Sequence, residues 1–185
     1  KVVHPSNPYD MKGLMTACIR ENNPTLMIKH KRLLGMSAEV PEEPYAIPLG
    51  QANVARTGSD VTVVAWGRMA NEALDAAERV AADGIDVEVI DPRTLQPLDT
   101  ATIVESVRKT NRAIVVHEAV RFGGLGAEVA AQIQEEAFDY LDAPVARIAA
   151  PFSPVPFTPT LESIYLPSTN DIEAGIRAIV ARPGA

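Results

Sequence analysis

This 185-residue sequence predicts an α/β fold built on a mostly parallel, doubly wound sheet. Two observations lead there. Short valine-rich runs alternate with amphipathic helical segments at the spacing that strand–helix–strand units require. Those runs are apolar on both sides, as strands covered by helices on two faces must be. The length leaves room for one well-packed domain with a smaller appendage.

At the amino end, Val2-Val3 before Pro5-Ser6-Asn7-Pro8 reads as the last residues of a strand entering a turn. With no initiator methionine, the chain is expected to begin in mid-fold, as a piece of a longer protein. Asn7 is placed to cap a helix, with Pro8 in its first turn and Asp10 near its positive end. Met11, Leu14, Met15, Cys18 and Ile19 form one apolar stripe on it. Asn22-Asn23-Pro24 stops the helix, and Thr25 to Ile28 reads as a short strand. From about Leu33 to Arg56 the periodicity dissolves among Pro41, Pro44 and Pro48, which marks an extended connector.

Beyond the connector the alternation is clear. Val61 to Trp66 is a strand, followed by a helix from about Ala70 to Asp83 that Gly84 ends. Val87 to Ile90 is the next strand. Asp99 caps the following helix, with Leu98 placed to pack on Ile103. Ala113 to Val116 and Val145 to Ile148 are two more strands. Between them lies a helix carrying Leu125, Val129, Ile133 and Ala137. A proline-rich excursion from Pro151 to Pro159 leads to a last helix, capped near Asn170, with Ile172, Ile176, Ile179 and Val180 facing inward.

A net charge of −7 excludes a nucleic-acid partner and attraction to an anionic membrane surface, both of which need a basic face. No stretch approaches the apolar length of a membrane span. One cysteine, Cys18, excludes an internal disulfide and fits a reducing, cytoplasmic compartment.

Ligand sites in such sheets lie outside the carboxyl ends of the strands. There the sequence offers His117-Glu118 and the glycine-rich turn Phe122-Gly123-Gly124-Leu125-Gly126. Glycines at a helix start can hold a phosphate, or they can simply allow close packing. The dinucleotide fingerprint fails at Val129, and no acidic residue closes the strand at Ile148-Ala149-Ala150. Adjacent residues on a strand point apart, so His117 and Glu118 are not expected to act as one acid–base pair. His117 lacks the second histidine of a zinc motif. Ser37 lacks the glycine frame of a nucleophile elbow. Cys18, on the apolar helix face, reads as an inert thiol. Lys29-His30-Lys31-Arg32 reads as a solvated loop, or failing that as an interdomain or subunit contact.

In order along the chain, several segments resemble one family. They include Val3-His4-Pro5-Ser6-Asn7-Pro8-Tyr9-Asp10, Val40-Pro41-Glu42-Glu43-Pro44-Tyr45 and Ile90-Asp91-Pro92-Arg93-Thr94-Leu95. They continue through Ser106-Val107, Lys109-Thr110-Asn111-Arg112, His117-Glu118-Ala119, Leu141-Asp142-Ala143-Pro144-Val145 and Pro154-Val155-Pro156-Phe157. The family is the β subunit of the thiamine-diphosphate-dependent first component of 2-oxo acid dehydrogenase complexes. The pyruvate and acetoin branch resembles this chain most, and the branched-chain enzymes share much of the pattern.

The resemblance implies that residues 1–36 are a remnant of the pyrimidine-binding domain and 37–56 a linker. Residues 57–185 would be a transketolase-type carboxy-terminal domain. It implies that the family's acidic cofactor activator and active-site histidine lie upstream of Lys1. Thiamine diphosphate and magnesium would be held mainly by an α subunit, so no catalytic residue is assigned here. It also implies a potassium ion near the end of the first helix, with Cys18, Glu21 and Asn23 matching ligand positions, and Glu21 where many relatives have aspartate. Implied partners are the α subunit, a second β subunit and the peripheral subunit-binding domain of the acyltransferase core. Two other functions stay open at this point: a free-standing docking module, and a nucleotide-binding oxidoreductase resting only on the glycine-rich turn.

Overall fold

A computed structural model describes residues 1–183. Its elements in chain order are β1 (Val2–Val3), α1 (Pro8–Arg20), β2 (Leu26–Met27), β3 (Asn53–Arg56), β4 (Val61–Ala65), α2 (Arg68–Ala81), β5 (Val87–Asp91), β6 (Thr94–Gln96), α3 (Thr100–Thr110), β7 (Ala113–Val120), α4 (Leu125–Ala137), β8 (Ala146–Ala150), α5 (Pro159–Tyr165) and α6 (Thr169–Val180).

The main sheet runs in the order β3-β5-β4-β7-β8. β4 pairs in parallel with β5 (Val63 with Val89) and with β7 (Val63 with Ile114), and β7 pairs in parallel with β8. Among these five strands only β3 is antiparallel. Side chains alternate across this sheet. Val61, Val63, Ala65, Val89, Ile114 and Val116 face one core, closed by α2 and α6. Val64, Trp66, Ile90, Ala113 and Val115 face the other, closed by α3 and α4. Both sides of β4 are buried, and its valine run needs no polar face for that reason. The doubly wound expectation holds.

Thr62 is the one polar residue in β4. Its hydroxyl lies 2.7 Å from both Ser106 Oγ and Thr110 Oγ1 on α3, so a small buried hydroxyl cluster satisfies it.

A second, smaller sheet has the order β2-β1-β6. β1 and β2 are parallel, whereas β1 and β6 are antiparallel. The amino-terminal piece is thus stitched to a strand that directly follows β5. β6 went unnoticed in the sequence because Thr94-Leu95-Gln96 is short and mixed in polarity. Asn53 to Arg56, read as connector, forms the edge strand β3. The rest of the connector does run extended, and it is strapped to α1. Tyr45 stacks on Tyr9 at 4.6 Å, and its hydroxyl donates to the Tyr9 carbonyl. The Ile47 amide donates to the Gly13 carbonyl. A Cβ on Gly13 would stand 2.6 Å from Ile47 Cγ1, so this helix position must be glycine for the strap to lie down.

Several boundaries shift. β7 continues past Val116 to Val120, and the strand expected at Val145 starts at Ala146. The last helix is capped by Ser168 in a capping box with Asp171, not near Asn170. A short helix, α5, follows the proline-rich excursion. On α1 the apolar stripe is only partly covered: Leu14 is buried, while Met15 and Ile19 are exposed.

Asp99 ties the layers together. Its carboxylate accepts the Thr102 amide at the start of α3 and the Ala52 amide just before β3, at 3.2 and 2.9 Å. Asp99→Ala removes a helix cap and orphans a half-buried amide. It is expected to cost about 1–3 kcal/mol, measured as a lower denaturant midpoint at unchanged slope.

Candidate functional site

From β4 the chain passes through α2 to β5 on one side, then through α3 to β7 on the other. The order therefore reverses between β4 and β7, and a doubly wound sheet opens its ligand crevice at such a point. Trp66-Gly67 ends β4 and His117-Glu118 lies near the end of β7. A cavity of about 240 Å³ remains there, lined by His4, Trp66, Arg68 and Glu118 among others.

The amino-terminal piece narrows this crevice. Gly67 sits at φ +58, and a Cβ on it would lie 2.5 Å from His4 Nε2, so the His4 ring closes directly over the glycine. Burial pushes the His4 pKa down to about 4, with the nearby His30 adding to the effect and Glu118 opposing it. His30 Nδ1 accepts the Arg32 amide at 3.2 Å, which leaves the Nε2 hydrogen for Glu118 Oε2, 2.7 Å away. Arg68 Nη1 lies 3.3 Å from the other Glu118 oxygen, and its Nη2 lies 2.6 Å from Glu72. Glu72 in turn accepts the Thr169 amide at the start of α6. One polar chain runs from the amino-terminal piece across α2 to α6. In the basic cluster at residues 29–32, Lys29 and Lys31 are exposed as expected of a solvated loop, whereas His30 pairs with Glu118 and Arg32 with Glu162, the latter at 2.6 Å.

His117 and Glu118 point apart, as expected for strand neighbours. His117 is 1% exposed and lies flat on Trp66, with ring centroids 5.4 Å apart and planes within 4°. Neither ring nitrogen has a partner among the described residues. Burial, with the charge of Arg147, holds its pKa below the ordinary histidine value. The glycine-rich turn is shaped around this ring. A Cβ on Gly124 would stand 2.7 Å from His117 Cε1, and one on Gly126 would overlap the ring. Close packing explains both glycines. These residues do not fit a diphosphate cofactor, because the glycine gap is already filled by imidazole.

A buried junction that the sequence did not reveal lies beside the crevice. Asp10 on α1 has no exposure, and Arg93 Nη2 stands 2.6 Å from its Oδ1. Asn7 donates to Asp10 Oδ2 at 2.8 Å, and Asp91 accepts the Ser6 hydroxyl and the Arg93 amide. The motif Asp91-Pro92-Arg93-Thr94 supplied the only sequence signal. Arg93 sits at φ +58, a conformation that arginine rarely adopts.

Cys18, Glu21 and Asn23 come together at the end of α1. The Glu21 amide donates to the Cys18 carbonyl at 3.3 Å, and the Asn23 side chain donates to Glu21 Oε1 at 2.9 Å. The Lys1 ammonium binds the other Glu21 oxygen. That contact, then the Asn23 bonds, hold the Glu21 pKa at about 2. Among the described residues no three His, Cys, Asp or Glu side chains form a metal cluster. This helix end already accommodates one monovalent cation, an ammonium. Burial raises the Cys18 thiol, which is therefore less reactive than usual.

The fold is a doubly wound α/β domain whose strand ends are crowded by the imidazoles of His4, His30 and His117. Residues 50–172 match the family model of the transketolase C-terminal domain, and the chain belongs to that family. It is 47% identical over 177 residues to the acetoin:2,6-dichlorophenolindophenol oxidoreductase subunit beta of Cupriavidus necator, covering 96% of this chain and 52% of that protein. It is 49% identical over 173 residues to the pyruvate dehydrogenase E1 component subunit beta of Staphylococcus aureus, covering 93% and 53%. A solved structure titled split gene transketolase, inactive beta4 tetramer, superposes with a TM-score of 0.82 at 26% identity, covering 98% of this chain and 57% of that one. The chain thus spans about half the length of these relatives.

If the glycines serve His117 rather than a ligand, Gly126→Ala should destabilise the fold itself. The expected loss is about 1–3 kcal/mol, seen as a lower melting temperature together with a changed near-ultraviolet signal from Trp66. An unchanged melt would return the glycines to a ligand-binding role.

Proposed function

We propose that this chain is the carboxy-terminal part of a β subunit of a thiamine-diphosphate-dependent 2-oxo acid dehydrogenase of the pyruvate or acetoin type. In that setting the whole enzyme decarboxylates a 2-oxo acid, or cleaves acetoin, and passes the acyl group to a lipoyl arm. This part serves assembly. The observation that carries the reading is the narrowed crevice: where a doubly wound domain would bind a ligand, His4, Trp66, Arg68 and Glu118 leave a cavity of only about 240 Å³, smaller than a typical small-molecule site. Thiamine diphosphate and magnesium then belong to the rest of the assembly, and the isolated chain is inactive.

The surface supports a role in contacts. Phe122 and Phe152 form a tilted pair at 5.0 Å, both strongly exposed, and Val155, Phe157, Leu161 and Ile164 are exposed as well. Bare apolar patches of this kind mark protein interfaces. An α subunit, a second β subunit and the peripheral subunit-binding domain of an acyltransferase core are the partners this reading assigns. A branched-chain substrate, or a stand-alone docking role, is the alternative within the same family. On the same reading, residues 1–36 are the remnant of a pyrimidine-binding domain, 37–56 the linker and 57–185 the carboxy-terminal domain.

Isothermal calorimetry of the chain with thiamine diphosphate and magnesium should show no binding heat, and tight binding would refute the assembly role. For the proposed potassium ion, the Cys18 carbonyl, the Glu21 carboxylate and Asn23 would hold it, with the ion displacing Lys1. The ion would brace the helix end without entering the chemistry. Potassium chloride should then raise the melting temperature above that in choline chloride at equal ionic strength, and Glu21→Gln should abolish the difference. Equal melts for the unaltered chain would remove these residues from that role.

A further inference from the structure

The contact between residues 1–30 and the sheet domain buries ionisable side chains at two places. At one, Asp91 is 1% exposed and its two oxygens take the Ser6 hydroxyl and the Arg93 amide, at 2.5 and 2.9 Å. The groups facing it are Ser6 and Asn7 from the turn, Asp10 from α1, and Arg93 beyond β5. Asn71 from α2 reaches the same turn and donates to the Ser6 carbonyl at 2.9 Å. The cation of this group, Arg93, is engaged by Asp10. At the other place, the His4 ring lies against Gly67, with Nε2 buried and lacking a partner among the described residues. His30, Glu118 and Arg68 are the ionisable groups around it.

We propose that docking of residues 1–30 onto the sheet domain is proton-linked with opposite signs at its two ends, so that proton uptake at Asp91 tightens the contact and proton uptake at His4 loosens it. The two effects offset each other, and the junction holds a nearly constant strength through mildly acidic pH. An ionised Asp91 would be a second carboxylate beside Asp10 with one arginine between them, whereas a neutral Asp91 keeps its hydrogen bonds without that repulsion. A protonated His4 would put a new cation into a largely buried space near His30, with no acceptor at Nε2 among the described residues and only Glu118 nearby to favour it.

The magnitudes match. Burial first, and then Asp10, push the Asp91 pKa up from 3.8 to about 6, against the pull of Ser6 and Arg93. Its stabilising share is complete below 3.8 and is lost as pH rises through about 6. His4 goes the other way, from 6.5 down to about 4. Its share is complete above 6.5 and is lost as pH falls through about 4. Between about 4 and 6 the docked state carries one extra proton on Asp91 and the undocked state one on His4. Net uptake is close to zero.

Amide hydrogen exchange at residue 4 reads this equilibrium, because that amide donates across the junction to the Arg93 carbonyl at 2.8 Å. After correction for intrinsic exchange, protection in the unaltered chain should stay flat between about pH 4 and 6. In Asp91→Asn only the His4 effect remains, and protection should fall by about fortyfold from about pH 6 to about pH 4. In His4→Gln it should rise by about the same factor over that interval. Identical profiles for all three chains would overturn the proposal. Carboxyl carbon NMR of the unaltered chain gives a second test that needs no variant. An Asp91 midpoint near 6, shifted upward in Ser6→Ala, supports the proposal, and a midpoint near the ordinary 3.8 refutes it.

Discussion

A carboxylate with no solvent exposure at all, Asp10, dictates how the two parts of this molecule fit together. Taking such a charge out of water costs several kcal/mol unless a partner and further hydrogen bonds replace the lost solvation. Arg93 is that partner, from the far side of the junction, and it reaches Asp10 from a left-handed backbone conformation that carries a strain of about 1 kcal/mol or more. The neighbouring amide of the same residue binds Asp91, which in turn holds Ser6. Once Ser6 and Asp10 are fixed, the stretch between β1 and α1 has one path. β1 must run beside β6, and the His4 ring must arrive over Gly67. The narrowing of the crevice follows from a polar cluster outside it.

The main sheet was legible because its strands carry their burial in their own composition. Val61 to Ala65 and Ala113 to Val116 have almost no polar side chain to hide, so continuous apolar runs announce them. The helices were legible in outline: of Leu74, Ala77, Val80 and Ala81, expected to face inward on α2, Ala77 and Val80 are buried, Leu74 is half-buried and Ala81 is exposed, while Ile172, Ile176 and Ile179 on α6 are buried. Elements that escaped notice share a different origin. β3 and β6 are edge or bridging strands whose pairing is decided by distant partners, and neither Asn53-Val54-Ala55-Arg56 nor Thr94-Leu95-Gln96 has a two-residue rhythm strong enough to stand alone. The exposed Met15 and Ile19 show the converse case: a stripe can be periodic without finding cover in the described residues.

The site was less legible than the fold. That His117 and Glu118 face opposite ways follows from strand geometry and needs no coordinates. What each one meets is long-range. Glu118 meets His30, 88 residues earlier, and His117 meets Trp66 and two glycines of the next turn. A glycine-rich turn after a strand has two physical explanations, a bound phosphate or a bulky neighbour, and only the position of the neighbour separates them. Similarly, four consecutive basic residues look solvated until Glu118 and Glu162 are seen opposite His30 and Arg32.

Doubly wound domains carry chemistry at the switch point because two diverging loops leave a gap there for a ligand. In this molecule that gap is narrowed by its own polypeptide, and the residues that line it are ordered by backbone needs as much as by side chains. Gly67 lets His4 approach, Gly124 and Gly126 let His117 lie flat on Trp66, and the His30 ring uses both nitrogens on protein partners. The architecture that elsewhere presents a ligand here packs the imidazoles of His4, His30 and His117 around its strand ends.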